Sequence, residues 1–201
     1  RLVWGTSEGM DRPARLIVFV APSGAGKTSV IHRFLERHPG LAYSVSCTTR
    51  PMRPGEVDGR DYTFLTDETF RTGIASGRFV EWAEVHRHWY GTPREPLDHA
   101  LAEGRDVMLD LDVVGGLRLK EMYGDRAVTF FIVAPSTDEL KKRLAARGTD
   151  SPEVQAIRLQ NALTEMTFSD RFDHRVVNDD LDRVCGEIES ILNSDREDQA
   201  T

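Results

Sequence analysis

Residues 16–30 read LIVFVAPSGAGKTSV, and the fold turns on that stretch. The unbroken apolar run Leu16 to Val20 suits a strand buried on both faces. The stretch KTSVIHRFLERH, residues 27–38, then places Val30, Ile31, Phe34 and Leu35 on one helical face. A strand, a glycine-rich loop and a helix in that order aim loop N–H groups and the positive end of a helix at an anion. Gly24, Gly26, Lys27 and Thr28 match the phosphate-loop pattern G-x-x-x-x-G-K-[ST], with Ala21 at the first glycine position. In this reading Ser23, Gly24, Ala25, Gly26, Lys27, Thr28 and Ser29 cradle a donor nucleotide. Lys27 reaches its outer phosphates and Thr28 offers a hydroxyl to Mg²⁺. The competing reading is a tight turn with a solvated lysine, and the flanking strand and helix weigh against it.

Further apolar runs at Val107 to Leu111, Val128 to Val133 and Arg175 to Val177 read as strands. A helical pattern, STDELKKRLAAR, opens at Ser136 as an N-cap with Glu139 as its capping-box partner. Strand and helix alternate, so the chain is expected to be α/β, a P-loop NTPase-type parallel sheet flanked by helices. The apolar strand in VMLDLDVVGG ends in Asp110 and Asp112, expected on one strand face. A carboxylate there can orient Mg²⁺, and Asp110 is the metal candidate beside Thr28. Solvated carboxylates at a strand end are the plainer alternative.

Residues 44–92 break the rhythm. YTFL, RFVEWAEV and HWYG read as short strands around the Pro- and Gly-rich RPMRPGEVDG, a mainly β insertion. Here Arg50 and Arg53 flank Pro51, and two guanidiniums held close suit bidentate capture of a phosphate, with Tyr62 and Tyr90 as added hydroxyl donors. A second interruption, ARGTDSPE, has Gly148 stopping one helix and Pro152 starting the next behind a Ser151 cap. That arginine-rich hairpin reads as a short helical lid over residues 143–158. The expected division is a loose leader (1–14), a core (15–43 and 93–192), the acceptor-binding insertion (44–92) and a flexible tail (193–201).

A net charge of −7 over 201 residues disfavours a nucleic-acid surface. No apolar run approaches the roughly 20 residues that span a bilayer. Cys47 and Cys185 are far apart and form no CxxC pattern, so reduced thiols and a cytoplasmic setting are expected. Neither a nucleic acid nor a membrane is an expected partner.

Taken in order, APSGAGKT, SVSCTTRPMRPGEVDGRDYTF, FVEWAEV, YGTPRE, LDLDVVG, RLAARGTD and VVNDDL resemble the guanylate kinases, from about Arg15 to Leu192. The resemblance implies phosphoryl transfer from ATP to GMP with Mg²⁺, and Ala is common at the family's first glycine position. It implies that Arg50, Arg53, Tyr62 and Tyr90 hold the GMP phosphate and that Ser46, Glu81, Thr92 and Asp112 read guanine. The chemistry agrees. Guanine donates from N1–H and its amine, for which Glu81 is a double acceptor, while hydroxyls at Ser46 and Thr92 can donate to O6. The resemblance also implies that Arg143, Arg147 and Arg158 close over ATP phosphates and that Asn178 lies beside adenine, with Lys27, Arg50 and those arginines as the catalytic set. ATP and GMP are the implied partners, with dGMP a further candidate, in a monomer or small homo-oligomer.

Alternatives stay open. Glu81 could face solvent, and Arg143 and Arg147, four residues apart on a helix, could be surface charges. The chain departs from the family at Arg87, His88 and Trp89, where a Gly-Asn turn is usual, and at Val114, where Gln is usual. Those changes near the acceptor side leave room for a different nucleotide or phosphorylated metabolite. Guanylate kinase-like modules that only bind proteins form the other rival. Lys27, Thr28 and the lid arginines speak against that rival, since such a module has no chemical use for them.

Overall fold

The computed structural model describes residues 14–85, 87–146 and 152–198. The chain runs β1 (Leu16–Val20), α1 (Lys27–Arg37), β2 (Ala42–Ser44), β3 (Cys47–Thr48), β4 (Thr63–Phe64), α2 (Asp67–Ala75), β5 (Phe79–Val85) and β6 (His88–Pro93). It continues through α3 (Arg94–Ala102), β7 (Val107–Leu111), α4 (Val113–Tyr123), β8 (Ala127–Val133), α5 (Thr137–Ala146), α6 (Pro152–Met166), β9 (His174–Val177) and α7 (Leu181–Asp198).

A five-stranded sheet in the order β2-β7-β1-β8-β9 forms the core, and every pairing in it is parallel. Its inner strands β7, β1 and β8 are mainly apolar without alternation because both faces are covered. Ile17, Phe19, Met108, Phe130 and Ile132 face α1 and α7, where Val30, Ile31, Phe34, Val184 and Ile188 meet them. Leu16, Val18, Val20, Leu109 and Phe131 face the other way, onto Leu97 of α3 and Val113 and Leu119 of α4. Phe19 stands edge-on to both Phe34 and Phe130, with ring centroids 5.7 and 5.6 Å apart. Arg15 is buried at the foot of β1. It ties three elements together, through Asp106 at 3.1 Å before β7 and the Leu192 carbonyl at 3.1 Å on α7.

The insertion holds a second sheet, β4-β3-β6-β5, with β3 and β5 antiparallel to β6 and β4 parallel to β3. The expected YTFL strand shrinks to Thr63–Phe64, since Leu65 and Thr66 already lead into a helix. That helix, α2, is capped by the Thr66 side chain accepting from Thr69 N at 3.1 Å, and Asp67 and Glu68 complement its first turn. It packs under the sheet, with Phe70 stacked on Phe79 at 4.4 Å.

Two local expectations need correction. Asp112 does not lie on the strand with Asp110. It follows β7 and caps α4, accepting from Gly115 N at 2.7 Å, because a short carboxylate satisfies a helix's first N–H groups better than it extends a buried strand. Ser136 caps α5 through Glu139 N at 3.1 Å as expected, but the Glu139 carboxylate takes Arg143 Nε at 3.0 Å instead of closing a capping box. Both cysteines are free and buried. No described helix is long and apolar enough to cross a membrane.

Candidate active site

The carboxyl ends of the central strands β1 and β7 open into one crevice, the usual place for a ligand in a doubly wound sheet. The loop after β1 crosses it with Gly24 at φ 88° and Gly26 at φ 89°, a left-handed backbone that glycine adopts without strain. Ala21 has no positive φ, which explains why a methyl group is tolerated at that position. Gly26 caps α1 with no side chain to accept a hydrogen bond, so the helix meets the crevice with its N-terminal donors uncovered by a side-chain cap. A Cβ at Gly26 would come within 2.3 Å of Asn178 Nδ2.

Asn178 is buried and donates to the Ala25 carbonyl at 2.8 Å. Arg143 donates to that carbonyl at 3.2 Å and to the Asn178 carbonyl at 3.1 Å. Both residues therefore brace the loop from behind. Arg158 lies half-buried on α6, and Arg147 falls outside the described residues.

Lys27 leans across the crevice. Its Nζ forms an ion pair with Asp110 Oδ1 and donates to the Leu111 carbonyl at 2.5 Å. Asp110 Oδ1 is buried and, the ion pair aside, has no partner with hydrogen-bond geometry. Thr28 and Asp110 line the same groove. An ion such as Mg²⁺ takes few protein ligands and keeps water and substrate phosphate oxygens, so this hydroxyl and carboxylate are a fitting donor set. Among the described residues no cluster of three or more His, Cys, Asp or Glu side chains is arranged to hold a metal by itself.

Beyond Lys27 lies a cavity of about 100 Å³, lined by Ser46, Tyr62, Glu81, Tyr90 and Asp112 among others. Glu81 does not face solvent: it is 7% exposed and accepts from Thr92 Oγ1 at 2.7 Å. Burial raises its pKa to about 7, with the nearby Asp112 carboxylate adding to the effect and the Thr92 hydrogen bonds opposing it. Gly115 forms the floor, since a Cβ there would sit 3.1 Å from Glu81 Oε2. Ser46 reaches the Asp110 carbonyl at 3.4 Å. Thr92 is fully buried behind Glu81 and orients it.

Arg50 and Arg53, the residues expected to hold a phosphate, both meet Glu56. The Arg50 guanidinium is forked onto Glu56 at 3.0 and 2.8 Å and lies 5.3 Å from the Tyr62 ring centroid, while the Arg53 side chain is exposed in the adjoining groove. Glu56 also accepts from Arg53 N at 2.8 Å, so one carboxylate engages both residues. Burial works against the Glu56 charge, but the bonds from Arg50 and Arg53 N hold its pKa below the usual carboxylate value. Sequence reasoning missed Glu56. Its only signal was an acidic residue between the arginines and tyrosines of a Pro/Gly-rich stretch.

The departures lie off the cavity. Trp89 sits beneath the insertion sheet, 6.1 Å from Phe70 and 5.6 Å from Trp82, while its strand neighbour Tyr90 lines the cavity. Arg87 occupies the hairpin turn at φ 67°, a position that favours Gly or Asn. Val114 is 48% exposed on the outer face of α4.

A family model described as guanylate kinase matches residues 13–195. The guanylate kinase of Symbiobacterium thermophilum is 46% identical over 181 residues, covering 90% of this chain and 85% of its own. That of Thermotoga maritima is 44% identical over 182 residues, covering 90% and 87%. The crystal structure of guanylate kinase from Anaplasma phagocytophilum superposes with a TM-score of 0.74 at 29% identity, covering 90% of this chain and 86% of that one.

Proposed function

We propose, from the premise that the chain belongs to the guanylate kinase family, a division of labour between the two sides of the crevice. The protein is a guanylate kinase, a nucleoside monophosphate kinase, and the rival readings as a binding module or as a kinase for another acceptor are not favoured. ATP takes the loop of Ser23 to Ser29 and GMP takes the cavity of Ser46, Tyr62, Glu81, Tyr90 and Asp112. The observation that carries this reading is Glu81, a buried carboxylate held by Thr92 and aimed into a cavity whose other wall is Lys27.

Guanine donates N1–H and its amine to Glu81. Adenine has no such donor pair and would leave the carboxylate buried and unmatched, the situation in which a polar site rejects an analogue most strongly. Tyr62, Tyr90, Arg53 and Arg50 hold the acceptor phosphate, with Arg50 exchanging part of its hold on Glu56 for the ligand. The acceptor phosphate oxygen is already a nucleophile and needs no base. It attacks the γ-phosphorus in line as the bond to the β-phosphate oxygen breaks, releasing GDP and ADP. Lys27, Arg143, Arg147 and Arg158 stabilise charge on the transferring group. Thr28 and Asp110 would hold Mg²⁺, which would neutralise charge on the donor phosphates. Asn178 bounds the adenine side. The insertion and the lid close as separate parts on a core that works in the cytoplasm.

The test is an ADP-release assay with ATP and Mg²⁺, offering GMP, dGMP, AMP, UMP and CMP in turn. Turnover confined to guanine nucleotides is expected. Equal turnover with AMP would remove Glu81 from the reading.

A further inference from the structure

Consecutive residues of the phosphate loop are each gripped by the lid hairpin. The Ser23 N–H donates to Glu165 Oε2 of α6 at 3.2 Å. Gly24 lies under α5 so closely that a Cβ there would stand 2.9 Å from Leu144. The Ala25 carbonyl accepts from Arg143 of α5. The hairpin is itself solid at this end, where Leu140 and Leu144 of α5 pack with Ala162, Leu159 and Met166 of α6. Of these grips only that of Glu165 reaches a loop N–H, and it comes from the helix that carries Arg158. Positions 158 and 165 are seven apart, two helical turns, and so lie on one face of α6.

We propose that Glu165 is a positioning residue for phosphoryl transfer: by accepting the Ser23 N–H it registers α6, and with it Arg158, on the phosphate loop. The inference rests on the kinase reading above and adds a residue to it. A backbone donor at the crown of a phosphate loop is ordinarily available to solvent or an anion. Here a carboxylate from the lid takes it, and a charge-assisted hydrogen bond is the stronger kind. The Ala25 N–H turns inward onto the Pro22 carbonyl at 3.1 Å, and the helix bearing Arg158 is fixed at its base.

The experiment compares Glu165→Met, which keeps the length and the helix but removes the acceptor, with Glu165→Gln, which keeps a carbonyl oxygen for the Ser23 N–H. Steady-state kinetics with ATP and GMP are read beside amide hydrogen exchange at Ser23. For Glu165→Met we expect the KM for ATP to rise and kcat to fall, lowering kcat/KM for ATP by about tenfold or more, the scale of one lost hydrogen bond to a charged group. The KM for GMP should stay within about twofold, since the acceptor cavity does not touch α6, and Ser23 exchange should accelerate by a similar factor of about ten. Glu165→Gln should restore both readouts most of the way. Unchanged ATP kinetics and Ser23 exchange in Glu165→Met would overturn the proposal. So would a Gln variant as impaired as the Met variant in both. If Glu165→Met does not fold, slow Ser23 exchange in the wild type and in Glu165→Gln is the expected result, and rapid exchange in both overturns the contact. A wild-type protein inactive on GMP would defeat the kinase reading alone, because Ser23 exchange still reports on Glu165.

Discussion

The donor and acceptor sides of the crevice are built by opposite means. On the proposed donor side a contiguous loop offers backbone N–H groups and one lysine, and Asn178 and Arg143 fasten its Ala25 carbonyl. On the proposed acceptor side the cavity is lined by side chains drawn from β5, β6, the 46–62 segment and the cap of α4, and several residues there are already engaged with one another. A loop preset for an anion needs little rearrangement to bind. A pocket whose arginine is forked onto Glu56 and whose glutamate holds a raised pKa must exchange partners when its ligand arrives. In the proposed reading the donor side supplies rate, and the acceptor side supplies selectivity together with its pH dependence.

Removing the charge that spans the two sides should break the comparison most completely. Lys27→Ala leaves the loop backbone and the acceptor cavity in place but deletes the only described lysine on the cavity wall. Turnover should fall about a thousandfold or more, the scale of losing a preorganised transition-state charge. The variant should still fold but melt somewhat lower, since Asp110 Oδ1 is buried and loses its ion pair. Near-normal kcat in a folded variant would show that the ion pair with Asp110 is structural only.

Glu81→Gln sharpens the contrast. It should raise the KM for GMP by about ten- to a hundredfold, the range for a hydrogen bond to a charged group, with the KM for ATP unchanged. The sign of the pH dependence follows from burial. A carboxyl group whose folded pKa is raised to about 7 stabilises the fold most when it is protonated, and that contribution is lost as pH rises from the ordinary carboxylate value through about 7. The variant should therefore melt higher than wild type at pH 8, with the gap narrowing toward pH 5. The wild-type KM for GMP should rise as pH falls below about 7, because the protonated acid cannot accept both guanine donors. A flat profile matching that of the Gln variant would place Glu81 outside the acceptor contacts.

The same contrast explains what could be read from sequence. The donor loop was legible because its chemistry lies in consecutive residues between a strand and a helix, where spacing alone sets geometry. The doubly wound core followed from four apolar runs, whose alternate side chains do cover two faces. The acceptor side resisted. Arg50 and Arg53 are neighbours in sequence, but the bond that the irregular 51–62 segment makes between Arg50 and Glu56 is announced by no periodicity. Helix α2 offers only Phe70 and Ile74 as an apolar pair, too short a pattern to stand out, although Thr66 and the two acids after it are a legitimate start signal. Asp112 was read as strand because Asp110 is strand. The helix that begins at Val113 claims it instead.

The smallest effect concerns the residues that first suggested an altered acceptor. Val114 is half-exposed on α4 and Trp89 is packed against Phe70, so neither side chain reaches the cavity that Glu81 and Tyr90 line. Val114→Gln should leave the KM for GMP and kcat within about twofold and stability within about 0.5 kcal/mol, as for a surface substitution away from any special feature. Trp89→Leu should separate the two properties. It removes the ring contacts to Phe70 and Trp82 and the face that lies 5.5 Å under the Arg71 guanidinium, so it should cost about 1–3 kcal/mol of stability. The preference for GMP over AMP should persist below the new melting point, because Thr48 and Thr49 hold the strand through backbone atoms of residue 89: its carbonyl accepts from Thr48 Oγ1 at 2.9 Å and from Thr49 N at 3.0 Å, and its N–H donates to Thr49 Oγ1 at 3.0 Å. A shift in acceptor preference with either variant, measured as the ratio of kcat/KM for GMP and AMP, would mean that the outer face of the insertion bears on selectivity after all. An unchanged ratio with a lowered melting temperature would confine the departures to packing and leave selectivity to Glu81 and its neighbours.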